Sequence, residues 1–146
     1  MQAPPQHHVG ATLVELTITF SVLGVLMAIA VPRSAHVVER LTVRAASQDV
    51  LFLIAAARNA ATRRGDYASF VADPRTGKVR VVSNGVTLLE RAVADSRGVK
   101  LEATRESITF APTGVGWGAA NTTIVVSRGS RSDTIVTSRL GRVRHF

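Results

Sequence analysis

The strongest constraint on this chain is the segment 10–32, which reads GATLVELTITFSVLGVLMAIAVP. Between residues 11 and 31 it is apolar or small, except for Glu15 and four hydroxyl side chains. As an α-helix, this segment would extend about 31 Å, enough to cross the hydrocarbon core of a bilayer. An ionised carboxylate in hydrocarbon is costly unless it is paired, so Glu15 is a candidate functional residue. Pro32 marks the end of the apolar run.

Two ordinary interpretations compete for this segment. The first is a secretory signal peptide cut after the small residues at 28–30; against it, no Lys or Arg precedes the apolar run and Glu15 lies at its edge. The second is a plain single-pass anchor. By the positive-inside rule, the cations after the segment would then place the C-terminal side in the cytoplasm; they are Arg33, Arg40 and Arg44.

The spacing of four features in this segment resembles the N-terminal signature of type IV pilins and type II secretion pseudopilins. In that family a prepilin peptidase cuts after a glycine and methylates the new N-terminus, and a glutamate stands at the fifth mature position. The resemblance implies that Gly10 is the cleavage site, that Ala11 is the methylated N-terminus, and that Glu15 and Pro32 serve filament assembly. Ala11 stands where phenylalanine is usual. We give more weight to the matching positions of Gly10, Glu15, the apolar run and Pro32 than to the arginines after the segment. Those arginines alone would place the C-terminal side in the cytoplasm, opposite to the orientation of pilins.

The remaining composition limits the soluble part of the chain. The 146 residues have room for one globular domain after the apolar segment, and the absence of cysteine excludes disulfides and thiol chemistry. The net charge of +8 is carried mostly by arginine, which favours anionic partners without specifying a fold.

The segment 33–64 is predicted to continue the helix, because it contains no glycine or proline and is rich in alanine. Its apolar residues recur at helical spacing, which predicts one buried face. That face comprises Val43, Ala46, Val50, Leu53, Ile54, Ala57, Ala60 and Ala61. Leu41 and Phe52 fall on nearly the opposite face. They are either scattered surface residues, which are common, or residues that contact other helices in a filament. Two arginines followed by Gly65 predict the helix end.

After Gly65 the sequence predicts short strands. Asn84 and Gly85 between β-branched runs are a strong hairpin signal, and 73–77 is a predicted turn. One long helix followed by consecutive strands predicts an α+β fold with an antiparallel sheet. The predicted strands are 66–72, 78–83, 86–91, 99–103, 107–111, 122–127, 133–137 and 142–146.

Short fragments in the second half extend the family resemblance. AAARNAATRRG at the helix end, ITFAPTGVGW, a hydrophobic strand and a final LGRV together resemble the GspH/FimT group of minor pilins and pseudopilins. The resemblance implies one long helix packed on a small β-rich head. It also implies a low-abundance subunit of a type II secretion pseudopilus or type IV pilus, commonly placed in the tip complex.

Residues that could carry catalysis are scarce. Residues 114–119 match a dinucleotide-binding glycine pattern, but a predicted strand follows them where that pattern needs a helix. The four histidines offer no spacing typical of a metal site or a nucleophile; they are His7, His8, His36 and His145. We therefore predict no enzyme and no cofactor or metal; the chain would instead be the substrate of the prepilin peptidase.

The C-terminal tail is basic. Asp133 is the one acid among five arginines after residue 127, and an extended tail would place Arg142 and Arg144 on the same side. Arginine forks suit phosphate oxygens. Residues 141–144 also resemble the Gly-Arg-x-Arg tail motif of FimT-type minor pilins, which bind DNA during uptake. The candidate DNA-binding residues are therefore Arg139, Arg142 and Arg144. The alternative is a solvated edge strand whose arginines discourage aggregation.

The predicted organisation is therefore a leader at 1–10, a transmembrane and assembly helix at 11–31, an amphipathic continuation at 32–65 and a β-rich head at 66–146. The resemblance implies a single pass through the bacterial inner membrane, with the head in the periplasm. The implied partners are other pilins or pseudopilins in a hetero-oligomeric filament and the prepilin peptidase. Two functions stay open: a structural subunit serving assembly and protein secretion, or a DNA-binding subunit serving DNA uptake.

Overall fold

A computed structural model describes the backbone of residues 12–118 and 120–146. The chain divides into two compact units, one ending at Val37 and one from Val38 to Phe146. Helix α1 (Leu13–Arg64) contributes to both units and continues through Pro32. The described residues contain one helix whose length and apolar composition suffice to span a membrane. Gly10 and Ala11 lie outside the described residues.

The second unit joins the C-terminal half of α1 to two antiparallel sheets, which confirms the predicted α+β class. One sheet has five strands in the order β3-β2-β1-β5-β6, and the other has four in the order β4-β7-β8-β9. The strands are β1 (Ala68–Asp73), β2 (Lys78–Ser83), β3 (Val86–Ala92), β4 (Lys100–Ala103), β5 (Ser107–Phe110), β6 (Gly116–Trp117), β7 (Thr122–Arg128), β8 (Arg131–Thr137) and β9 (Val143–His145).

The hydrophobic core lies between α1 and the inner faces of the sheets. All eight α1 residues of the predicted buried face are buried, because their spacing keeps them on one side of the helix. They meet large side chains that alternate along the strands, such as Phe70, Phe110 and Ile124. Leu41 and Phe52 are exposed on α1, as the periodicity predicts.

The helix end at Gly65 and the hairpin turn at Asn84 and Gly85, both predicted from the sequence, are confirmed. Helix α1 ends at Arg64, and Gly65 follows with φ of 65°, the left-handed conformation that glycine adopts without a Cβ penalty. Asn84 and Gly85 join β2 to β3 with φ of 51° and 75°, as a type I′ hairpin turn requires.

Several strand boundaries differ from the prediction by one or two residues, and two elements were not predicted. Strand β1 begins two residues later than predicted, at Ala68, because the Asp66 carboxylate accepts hydrogen bonds from the Tyr67 backbone amide and the Asn84 side chain instead of entering the sheet. A short helix, α2 (Val93–Arg97), follows β3, where the sequence predicted no element. Strand β6 lies within the glycine pattern at 114–119, where no strand was predicted.

An ionic cluster links α1 to the segment β3–α2. Asp49 of α1 accepts hydrogen bonds from Arg91 at 2.5 Å and from Arg97 at 2.8 and 3.0 Å, and its side chain is only 17% exposed. The Arg91 guanidinium also lies 5.1 Å from the centre of the Phe52 ring. The two ion pairs of Asp49 join residues 42 and 48 positions apart in the chain.

Candidate functional site

The first turn of α1 places Glu15 at the helix N-terminus. The Thr12 hydroxyl accepts a hydrogen bond from the Glu15 backbone amide at 3.2 Å, and Thr12 precedes the first helical residue, Leu13. A threonine followed three residues later by glutamate is the capping-box pattern, a local sequence signal that was not among the predictions. A negative side chain in the first turn also complements the helix dipole. The Thr12 hydroxyl therefore caps the helix through the Glu15 amide, and the Glu15 side chain lies where the helix dipole favours a negative charge.

The hydroxyls of the apolar segment are satisfied within the helix. Thr17, Thr19 and Ser21 each donate to a backbone carbonyl three or four residues earlier, at 2.7–2.8 Å. Every described side chain from residue 12 to 31 is exposed, including Leu13 at 79% and Phe20 at 64%. In this chain the segment is a continuous apolar surface whose hydroxyl groups already have partners, as a lipid environment requires.

The basic tail folds back as a hairpin on β8. The turn is closed by the Gly141 amide, which donates to the Ser138 carbonyl at 2.8 Å, and by the Ser138 amide, which donates to the Arg142 carbonyl at 2.8 Å. Gly141 has φ of 76°, a conformation that favours glycine. Strand β9 then pairs Arg144 with Val136. The predicted tail strand is thus present, although β9 itself is shorter than predicted.

The three predicted tail arginines lie around one surface depression of about 520 Å³. Arg139, Arg142 and Arg144 line it together with Val136, Ser138 and Leu140. Among the described residues, none of the three arginines forms an ion pair; the nearby Asp133 carboxylate contacts His145 at 2.6 Å instead. The arginines are therefore exposed cations that share a concave surface and are available to an anion.

Arg105 extends this basic surface, and the sequence analysis did not find it. It lies between β4 and β5 and lines a depression with Arg139, Gly118 and Asn121. No local pattern marks Arg105, because its position beside Arg139 depends on the pairing of strands that are distant in sequence.

Two glycines hold the tail against the five-stranded sheet. A Cβ at Gly116 would lie 2.6 Å from the Arg139 carbonyl oxygen and 3.3 Å from the Gly141 nitrogen. A Cβ at Gly141 would lie 3.0 Å from the Phe110 ring. Two of the sequence fragments that carried the family resemblance, ITFAPTGVGW and LGRV, therefore meet in space at a close backbone contact.

The glycine pattern at 114–119 does not form a nucleotide-binding loop in its described part. Gly116 and Trp117 form β6, which pairs with β5, and β7 follows from Thr122. No helix begins after the described glycines, so no helix N-terminus is present for a pyrophosphate. In the described parts of the chain, no group of three His, Asp or Glu side chains is arranged to hold a metal ion.

A second basic depression lies on another part of the same unit. Arg40 and Arg44 of α1 line it with Arg131, and the Asp133–His145 pair borders it. Unlike the tail depression, this surface contains a carboxylate that reduces its positive potential. The tail depression is therefore the better candidate for binding an anion.

Comparisons with known proteins identify the fold. No protein-family model matches the chain, and no curated protein matches it. The type IV minor pilin FimU of Pseudomonas aeruginosa PAO1 is similar in two crystal forms, with TM-scores of 0.61 and 0.58 and identities of 16% and 15%. The aligned region covers 73% and 70% of this chain and 89% and 91% of FimU. EpsH, the minor pseudopilin from the type 2 secretion system of Vibrio cholerae, has a TM-score of 0.53 at 12% identity, covering 74% of this chain and 95% of EpsH.

These likenesses define the class of fold. The protein has the fold of the GspH/FimT-type minor pilins and pseudopilins: one long N-terminal helix packed on an antiparallel β head. The expected resemblance of fold is thereby confirmed.

Proposed function

We propose that this protein is a minor pilin or pseudopilin, a subunit of a type IV pilus or a type II secretion pseudopilus. The observation that carries the proposal is the exposed apolar half of α1, attached to a head with the minor-pilin fold. An apolar surface of this extent must be shielded from water by lipid or by other proteins. Before assembly, inner-membrane lipid would surround it, and the head would lie in the periplasm. In the filament, the helices of neighbouring subunits would pack against it.

The proposal includes processing of the N-terminus. A prepilin peptidase would remove residues 1–10, cutting after Gly10, and methylate Ala11; the register of Gly10, Glu15 and Pro32 supports this. The intact mass of protein extracted from membranes should correspond to a chain that starts at methylated Ala11. A chain starting at Val31 would mean a signal peptide, and an unprocessed chain would mean a plain anchor.

The proposal also gives Glu15 a role in assembly. After cleavage, the Ala11 amine and the Glu15 carboxylate would both lie in or near lipid, where each charge is costly alone. Pairing Glu15 with the amine of an adjacent subunit would offset both desolvation costs and set the register between subunits.

The capping geometry at Thr12 allows the two roles of Glu15 to be separated. Glutamine preserves a capping box but carries no charge. Glu15→Gln and Glu15→Leu should both be inserted and cleaved normally, and both should be lost from filaments isolated with the partner pilins. Normal incorporation of Glu15→Gln would show that Glu15 only caps the helix. Ser21→Leu, which removes a polar group from the same apolar segment, is the control and should assemble.

A second candidate function is DNA binding during uptake, and the shared depression of Arg139, Arg142 and Arg144 favours it. Three arginines that form no ion pair with any described residue, on one concave surface, suit the phosphates of a nucleic acid. On duplex DNA, the slope of log K against log salt changes by about 0.9 per phosphate contact. Replacing Arg142 and Arg144 with glutamine should therefore make the slope shallower by about 1.8.

The matched control replaces two arginines of the β1–β2 hairpin, Arg75 and Arg80, which lowers the net charge equally. Binding should be measured on the full chain in a non-ionic detergent by anisotropy of a labelled duplex. Equal weakening by both pairs of substitutions would mean nonspecific attraction by the overall charge of +8. If the unaltered chain shows no salt-sensitive binding of DNA, the second candidate function is wrong and the tail is only a charged edge strand.

A further inference from the structure

An exposed aromatic pair lies beside the basic surface. Trp117 of β6 is 59% exposed and Tyr67 is 41% exposed. Their rings meet edge to face, with centroids 5.3 Å apart and an angle of 62° between the planes. Large aromatic side chains are usually buried on folding, so an exposed tryptophan held by a neighbouring ring is a candidate contact for a flat ligand.

The surface between Trp117 and the tail is a continuous series of depressions. Trp117 and Arg105 line the first, and Arg105 and Arg139 line the second. Arg139 then lines the third with Arg142 and Arg144. Each depression shares an arginine with the next, so the arginines form a path from the aromatic pair to β9. We call these four arginines and Trp117 the arginine path.

The charge along the arginine path is almost entirely positive. Glu106, beside Arg105 and Trp117, is the one acid among the described residues that line these depressions. Among the described residues, no ion pair involves Arg105. A ligand that follows the whole path must therefore carry repeated negative charges and, at the Trp117 end, a flat apolar surface.

We propose that the arginine path binds single-stranded nucleic acid, with phosphates along the arginines and a base stacked on Trp117. This inference rests on the nucleic-acid-binding function proposed above and specifies its ligand. Aromatic side chains beside a basic groove are the general means of holding a single strand, because every base has a π face. A duplex keeps its bases stacked inside, so it would contact the arginines and leave Trp117 unused. A polyanion without rings would do the same.

Trp117 provides its own probe, since it is the only tryptophan in the chain. The full chain in a non-ionic detergent should be titrated with oligo(dT) and with a duplex of equal length, chosen within the site sizes of about 4–16 nucleotides typical of such grooves. We expect oligo(dT) to quench Trp117 fluorescence in proportion to binding, and the duplex to bind more weakly without quenching.

Substitutions test the stacking contact. Trp117→Leu should weaken oligo(dT) binding by about 5- to 150-fold, because base stacking on an aromatic ring has about that effect. Trp117→Phe should restore most of the affinity. Arg105→Gln should make the single-strand salt slope shallower by about 0.7. Phe52→Leu is the control: Phe52 is an aromatic residue 51% exposed beside Arg91 but outside the path, and its loss should leave binding unchanged.

The outcomes distinguish this inference from the function it rests on. If Trp117→Leu binds oligo(dT) normally and the unaltered chain shows no quenching, the tail binds nucleic acid but the stacking site is wrong. If polyglutamate competes as well as oligo(dT), the path is a general polyanion site and the inference is also wrong. If the unaltered chain binds neither nucleic acid, the nucleic-acid function itself fails.

Discussion

Replacing Leu53 with alanine tests whether α1 stabilises the head through the face that the periodicity predicts. Leu53 is 0% exposed in the core, whereas its neighbour Phe52 is 51% exposed. Truncating a buried leucine to alanine costs about 2–5 kcal/mol, from lost burial and the cavity left behind. Alanine has at least as high a helix propensity as leucine, so the helix itself is not weakened.

The cost is large compared with the stability of a typical domain, about 5–15 kcal/mol. For a unit the size of Val38–Phe146, each kcal/mol lowers Tm by about 4 °C, so Leu53→Ala should lower Tm by about 8–20 °C. Trp117 lies in the same unit, so its fluorescence can follow thermal unfolding of the full chain in detergent.

Phe52→Ala is the matched control, since it truncates a larger side chain one position away. It loses the contact with Arg91, worth about 0.5–1 kcal/mol at an exposed site, and should lower Tm by no more than about 4 °C. Equal losses in the two variants would refute the assignment of the buried face.

Two further predictions concern the head. The side chain of Asn84 and the backbone amide of Tyr67 hold the pKa of Asp66 below its ordinary value of 3.8. Asn84→Gly keeps the turn conformation and should raise the pKa of Asp66 in an NMR titration. Asp73 is the control: its pKa is lowered by Thr76 and Arg75, so it should be the same in the variant. Because the folded pKa is lowered, these bonds stabilise the fold above the unfolded pKa and lose that effect as the pH falls through the folded value. Gly116→Ala should destabilise the head by about 1–3 kcal/mol in thermal or urea unfolding, because its Cβ would lie 2.6 Å from the Arg139 carbonyl oxygen.

The local features of this protein could be predicted from the sequence. The membrane-length helix, the buried stripe of α1 and the hairpin at Asn84 each depend on periodicity or on turn residues within a few positions. The capping box at Thr12 is also a local signal, since Thr12 and Glu15 are three residues apart, although it was not predicted. The α2 helix was missed because five residues are too short to show a helical period.

The tertiary structure alone decided which distant residues form the basic surface. Arg105 lies beside Arg139, and Trp117 lies beside Arg105, because β6 pairs with β5 at one sheet edge and the tail turn packs against Gly116. The Asp133–His145 contact likewise depends on the pairing of β8 with β9, so the only acid in the sequence after residue 127 contacts a histidine. A sequence pattern predicts where helices, strands and turns lie and which face of each is buried, since these features are set by neighbouring residues. The order of strands in a sheet is set by burial of the whole core, which no single segment encodes.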